Sequence, residues 1–191
     1  MPRRTPSSLD EAFDLLAMAG TTVYEPGAPG VSLLEHALQC GENALAGEAA
    51  PGQVMAALFH DIGHLVVPPI AAEAREPANE NAPDRHEEIG ADWLSELFPA
   101  SVTEPIRLHV EAKRYLCATR PDYVASLSDG ARRALTAQGG PMSPGDVHRF
   151  TSLPFSEEAV RLRLWDEAAK VPGRRTRPLA DFRPLALAAC V

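Results

Sequence analysis

Residues 51–67 read PGQVMAALFHDIGHLVV, an apolar run that opens on Pro51, is stopped by Pro68 and Pro69, and carries His60, Asp61 and His64 in its second half. The apolar content and length predict one buried helix over 51–67. Helical spacing puts His60 and His64 one turn apart on one face, with Asp61 offset by about 100 degrees. Two adjacent side chains of this kind can still meet one metal ion if the helix runs past it side-on. A His-Asp pair standing alone is common, so its meaning depends on what the rest of the chain places beside it.

Working outward, Ser32 to Gly47 reads as a helix opened by a Ser32/Glu35 capping box, with Leu33, His36, Ala37 and Cys40 on one face. Asp84 to Phe98 reads as a third helix with His86, Ile89, Gly90 and Trp93 at helical spacing. Thr103 is expected to cap a fourth, with Pro105 in its first turn and Ile106, His109, Val110 and Lys113 along one face. Asp129 to Gln138 and Ser156 to Lys170 complete the set, the last with Val160, Arg163 and Leu164 on its inner stripe near Asp166. Tyr24 to Gly30, rich in Pro and Gly, and Ile70 to Pro83, polar and Pro-containing, read as loops. Strand signals are few, so the expected fold class is all-α, a single helical bundle. The core is expected over about 24–170, with 171–191 an irregular basic tail.

The chain has 191 residues, 45% hydrophobic and 23% charged, which suits one globular domain. Its 18 basic and 26 acidic residues leave a net charge of -8, which argues against a nucleic-acid surface. No apolar run approaches the length of a membrane span, and no signal-peptide pattern opens the chain. Cys40, Cys117 and Cys190 show no CxxC spacing, which predicts reduced thiols and a cytoplasmic location. Lys113 and Lys170 are the two lysines among 18 basic residues. In so arginine-biased a chain, a retained lysine draws attention to its chemistry.

Of the six histidines, five lie on four predicted helices at positions that otherwise read as core-facing. Buried imidazoles are costly without partners, so their convergence points to a shared ligand. His36, the His60-Asp61 pair and Asp166 form an H…HD…D pattern, with His86 and His109 between. These six groups suffice for two divalent metals with Asp61 between them, and mixed imidazole and carboxylate donors suit iron, manganese or zinc. His148, in the polar stretch GDVHRF, is expected at the surface.

This pattern resembles the HD-domain metalloproteins, and within them the mixed-valent diiron oxygenases that cleave phosphonates. The segments that carry the likeness are LLEHALQC (33–40), AALFHDIGHL (56–65), HVEAKRYL (109–116), SLSDGARRAL (126–135), QGGPM (138–142) and RLWDEAAK (163–170). The resemblance implies an HD-domain bundle with a dinuclear site at its centre. One iron would be held by His36, His60, Asp61 and Asp166, and a second by His86 and His109, with Asp61 bridging as part of the catalytic centre. Tyr24 matches a labile cap on the second iron, and His64, Lys113 and Arg163 match a phosphonate grip. The spacing agrees with that grip, since each lies about one turn from a proposed ligand.

The implied cofactors are two Fe ions in a mixed-valent Fe(II)/Fe(III) pair, with O2 as co-substrate. The implied reaction cleaves the C–P bond of a small anionic 1-hydroxyphosphonate to phosphate and a carboxylic acid. With 2-amino-1-hydroxyethylphosphonate the product is glycine, and with its N-trimethyl analogue glycine betaine. The sequence departs from the family at Ala131, where a substrate-side serine is expected. An amine end could instead be met by Glu25, Glu35, Trp93, Tyr115 or Tyr123. The alternative reading is an HD-domain phosphohydrolase of a small phosphate ester or nucleotide, using the same ligands.

Overall fold

Alternating caps and apolar stripes resolve into eleven α-helices, and no strand, among the described residues of the computed structural model, which are 6, 8–22, 30–66 and 85–190. They are α1 (Leu9–Met18), α2 (Leu33–Ala46), α3 (Pro51–Phe59), α4 (Gly63–Val66), α5 (His86–Leu94) and α6 (Ala100–Thr119). There follow α7 (Pro121–Ser126), α8 (Asp129–Ala137), α9 (Pro144–Thr151), α10 (Ser156–Glu167) and α11 (Arg183–Ala189). The expected all-α class holds. The loop expected over 70–83 and the candidates Tyr24 and Glu25 lie outside the described residues.

The capping box that opens α2 is formed: Glu35 N–H donates to Ser32 Oγ at 3.2 Å and Ser32 N–H donates to Glu35 Oε2 at 2.7 Å. That cap fixes the start of a helix whose buried face carries Leu33, His36, Ala37 and Cys40, as the spacing predicts. The single helix expected over 51–67 breaks. After Phe59 the chain tightens, with i→i−3 bonds from Ile62 to Phe59 at 3.0 Å and from His64 to Asp61 at 3.1 Å, before α4 resumes at Gly63. The break falls at His60 and Asp61 and turns both inward.

Helix α6 starts earlier than expected. Its first helical residue is Ala100, Pro99 precedes it, and Pro105 stands inside the helix rather than in its first turn. Pro105 forfeits one backbone bond. The added turn buries Val102 completely beside Phe98, which offsets that loss. In α10 the buried stripe is Ala159, Leu162, Arg163 and Asp166, whereas Leu164, expected inside, is exposed.

The tail is not irregular throughout. A 3-10 turn (Leu179–Phe182) leads into α11, and Phe182 is fully buried in the main core. Its ring seats against Gly41, where a Cβ would stand 2.7 Å from the ring edge. Helix α1, also not expected from the sequence, packs Phe13 edge-on to Phe59 at 5.5 Å between centroids.

Helix α6 is the axis of the assembly, with α10, α5 and α3 against it, while α2 lies between α3 and α10 and α4 rests on α5. The largest apolar cluster joins α1, α2, α3, α5, α6, α10 and α11. Two smaller ones lie where α6 meets α7 and α8, and where it meets α9 and α10. The polar site sits among α2, α3, α5, α6 and α10, surrounded by these clusters.

Candidate metal centre

Three of the four histidines His36, His60, His86 and His109 are aimed by backbone carbonyls. A carbonyl oxygen can only accept, so the ring nitrogen facing it carries the proton. His36 Nδ1 donates to Ala169 O at 2.9 Å, His60 Nδ1 to Ala57 O at 2.9 Å and His109 Nδ1 to Ile106 O at 2.7 Å. The Nε2 lone pairs of all three therefore point into the centre. There they crowd one another: His36 and His60 Nε2 are 3.4 Å apart, and His86 and His109 Nε2 are 3.1 Å apart.

The carboxylates are shared between these pairs. Asp61 Oδ2 lies 3.2 Å from His60 Nε2 and 3.7 Å from His36 Nε2, while Asp61 Oδ1 lies 3.4 Å from His86 Nε2 and 3.7 Å from His109 Nε2. One carboxylate thus turns one oxygen to each imidazole pair. Asp166 joins the first pair only, with Oδ1 3.3 Å from His36 Nε2 and Oδ2 3.9 Å from His60 Nε2. All six residues are buried, none more than 7% exposed.

Charge follows from this packing. Burial alone would raise Asp61, but His60 and His86 hold its carboxyl well below the usual carboxylate range. Asp166 is likewise pushed up by burial but held well below that range by Arg163 and His36. Burial, with His86 and His60 nearby, keeps His109 well below the ordinary imidazole value. Burial opposes protonation of His60 too, yet Asp61 beside it tips the balance upward. The centre is a cage of converging acceptors with two anionic carboxylates, an arrangement that a divalent cation neutralises and a dry apolar core does not. The donor set fits metal ions, and the backbone carbonyls behind the rings are the outer contacts such sites use.

Two further side chains border the cage. Cys40 Sγ lies 3.5 Å from His36 Nε2, and His36, Cys40, His60 and Asp166 lie close enough together to serve one ion. Burial, reinforced by Asp166 and Asp61, pushes the Cys40 thiol well above its usual value. His64 does not line up with His60, because the helix has broken between them. It is exposed, and its ring stacks on His86 at 4.0 Å between centroids, beside Asp61.

The cationic residues cluster on one side. Lys113 is 4% exposed and donates from Nζ to Gln138 Oε1 at 3.2 Å. Burial, with the Arg163 guanidinium next, lowers Lys113 to about 8. Arg163 is engaged by carboxylates: Nη1 donates to Asp166 Oδ2, Nη2 to Glu167 Oε2 at 2.8 Å, and Nε to Tyr123 Oη at 2.8 Å. Lys170 reaches Glu167 at 3.2 Å. Gln138 and Glu167 carry no site role in the sequence reading, and Tyr123, offered there for an amine end, instead accepts from Arg163 Nε. The segment QGGPM was the one visible hint of the first.

Of the candidates for an amine end, Trp93 is core, Tyr115 packs on Phe150 and Glu35 caps α2. Ala131 is buried beside Tyr123 in the α6–α8 cluster. His148 is exposed on α9, as expected.

Fold and site together define a helical protein with a buried histidine–aspartate centre suited to metal. No family model matches the chain. It is 40% identical over 171 residues to hydroxymethylphosphonate dioxygenase of Gimesia maris, covering 89% of this chain and 82% of that protein. It is also 36% identical over 156 residues to the glycine-betaine-forming [1-hydroxy-2-(trimethylamino)ethyl]phosphonate dioxygenase of Leisingera caerulea, covering 81% of this chain and 77% of the other. The chain belongs to the hydroxyphosphonate dioxygenase family and is an oxygenase, which entails a bound metal and O2. No helix among the described residues is long and apolar enough to cross a membrane.

Proposed function

We propose that this chain is a single HD-domain oxygenase that uses a mixed-valent diiron pair and O2 to cleave the C–P bond of a small 1-hydroxyphosphonate. The observation that carries the reading is the division of Asp61, one carboxylate oxygen toward His36 and His60 and the other toward His86 and His109. His36, His60, Asp61 and Asp166 would hold one ion, and Asp61, His86 and His109 the other, with Tyr24 as a cap on the second. The ions would supply coordination of the substrate's oxygens and the electrons for O2 activation.

The protein's own groups do the rest. Lys113 presents an ammonium to the phosphonate dianion, Arg163 adds positive field, and His64 at the exposed edge closes over the second imidazole pair. The burial of the ligands excludes water, which favours oxidation over side reactions. Three free thiols, Cys40, Cys117 and Cys190, support a reducing cytoplasmic location.

The two named relatives act on substrates that share a hydroxyl and a phosphonate on one carbon and differ in what else that carbon bears. We infer that this shared head is what the site recognises. For hydroxymethylphosphonate the balance is one O2 consumed, with formate and phosphate released.

The test follows O2 uptake and phosphate release together, on iron-loaded protein with hydroxymethylphosphonate, 2-amino-1-hydroxyethylphosphonate and its N-trimethyl analogue. Matched signals that vanish without air are expected, and the preferred compound names the substituent. Phosphate release that persists without air would contradict the oxygenase reading and restore the hydrolase alternative.

A further inference from the structure

We propose that Tyr123 is a positioning residue for the metal ligand Asp166, acting through Arg163; this rests on the assignment of Asp166 as a ligand above. Asp166 presents Oδ1 toward His36 and Oδ2 toward Arg163 Nη1, so the guanidinium decides which carboxylate oxygen is left for a metal. Arg163 precedes Asp166 by less than one turn of α10. Helix geometry brings the two close, but it does not fix the plane of a long arginine side chain.

Two contacts fix that plane. Arg163 Nε donates to Tyr123 Oη at 2.8 Å, and Nη2 donates to Glu167 Oε2 at 2.8 Å. The guanidinium is rigid and planar, so holding Nε and Nη2 sets where Nη1 points. Glu167 comes from the same helix and moves with it. Tyr123 comes from α7, 40 residues away in sequence, and is the contact that ties the guanidinium to a different part of the fold.

Tyr123 is itself held. Its ring is 7% exposed and packs with Leu116, Cys117, Leu127, Ala131 and Leu135. Burial raises its hydroxyl well above the ordinary tyrosine value, consistent with a neutral acceptor for the guanidinium N–H. The chain of contact runs Tyr123 to Arg163 to Asp166 to His36.

Tyr123→Phe keeps the ring in its cluster and removes only the acceptor. Metal-free wild type and variant are titrated anaerobically with Fe(II) against a competing chelator, and the thermal midpoint of each metal-free chain is recorded. The expected result is a roughly 10–100-fold loss of metal affinity, the range seen when an outer contact of a ligand is removed, with the metal-free midpoint held. An unchanged affinity, or a loss matched by a fall in that midpoint, would overturn the proposal.

In an Arg163→Lys background, Tyr123→Phe is expected to cause no further loss, because no Nε–H remains for the hydroxyl to hold. A full additional loss there would also overturn it. A wild type that binds no metal would sink the ligand assignment and this proposal together. A wild type that binds and a Tyr123→Phe chain that binds equally well would sink this proposal alone.

Discussion

Lys113 shows how much one buried side chain is asked to do. Folding removes it from water and sets it near Arg163, which together lower its pKa from 10.5 to about 8. Below that pH the ammonium can hold a phosphonate dianion, and above it the charge is lost. We therefore expect kcat/KM for a hydroxyphosphonate to fall as pH rises through about 8, since this ratio reports the free enzyme. Lys113→Ala should raise KM and abolish that limb of the profile; a limb that survives the substitution would assign it to another group. The same shift has a stability counterpart of definite sign. Between about 8 and 10.5 the unfolded chain binds the proton that the folded one has released, so stability gains with pH across that window.

Among the elements, the turn between α3 and α4 matters most, because it lets neighbouring residues His60 and Asp61 serve one centre. The turn is seated by Gly63, which lies against the backbone of α5. A Cβ there would fall on the carbonyl of His86 and 2.9 Å from Gly90 N. Gly63→Ala should push α4 away from α5 and part His86 from Asp61. The expected cost is about 1–3 kcal/mol in denaturant unfolding, with loss of metal from the His86 side. Unfolding and metal content equal to wild type would show that the close approach is not needed.

The helices that carry the proposed ligands were legible in the sequence, because capping and 3.6-residue spacing placed His36, His86 and His109 inward. The break was not. A run as apolar as residues 51–67 reads as one helix. The start of α6 was misplaced for a related reason: Pro105 looks like a first-turn residue, whereas burial of Val102 extends the helix past it. Tyr123, Gln138 and Glu167 carry no local pattern. Tyr123 and Gln138 matter through partners on other elements, and Glu167 through a pairing that needs Arg163 turned inward.

For the molecule as a whole, the C-terminal segment is part of the structure around the site. Helix α2, which supplies His36, holds that segment through its polar side chains. Gln39 pairs with both backbone groups of Val171, at 2.9 and 3.1 Å, and Asn43 Oδ1 accepts from Arg174 Nη1 at 2.8 Å. The clamp on Val171 steadies the neighbouring Ala169 carbonyl that orients His36. Farther on, Phe182 anchors the segment against Gly41. Phe182→Ala should cost about 3–5 kcal/mol by chemical unfolding, as for a fully buried aromatic. A cost near zero would mean that the segment is not part of the core. No periodic pattern in the basic, Pro-containing stretch before it announces this packing.

The account stands or falls on Asp61 serving two metal ions at once. The most direct measurement is the number of iron ions bound per chain in the wild type and in His86→Ala, each reconstituted from the metal-free state without air. We predict two ions in the wild type and one in the variant, because the His36, His60 and Asp166 side of the centre is left intact. One ion in the wild type, or two retained by His86→Ala, would contradict it.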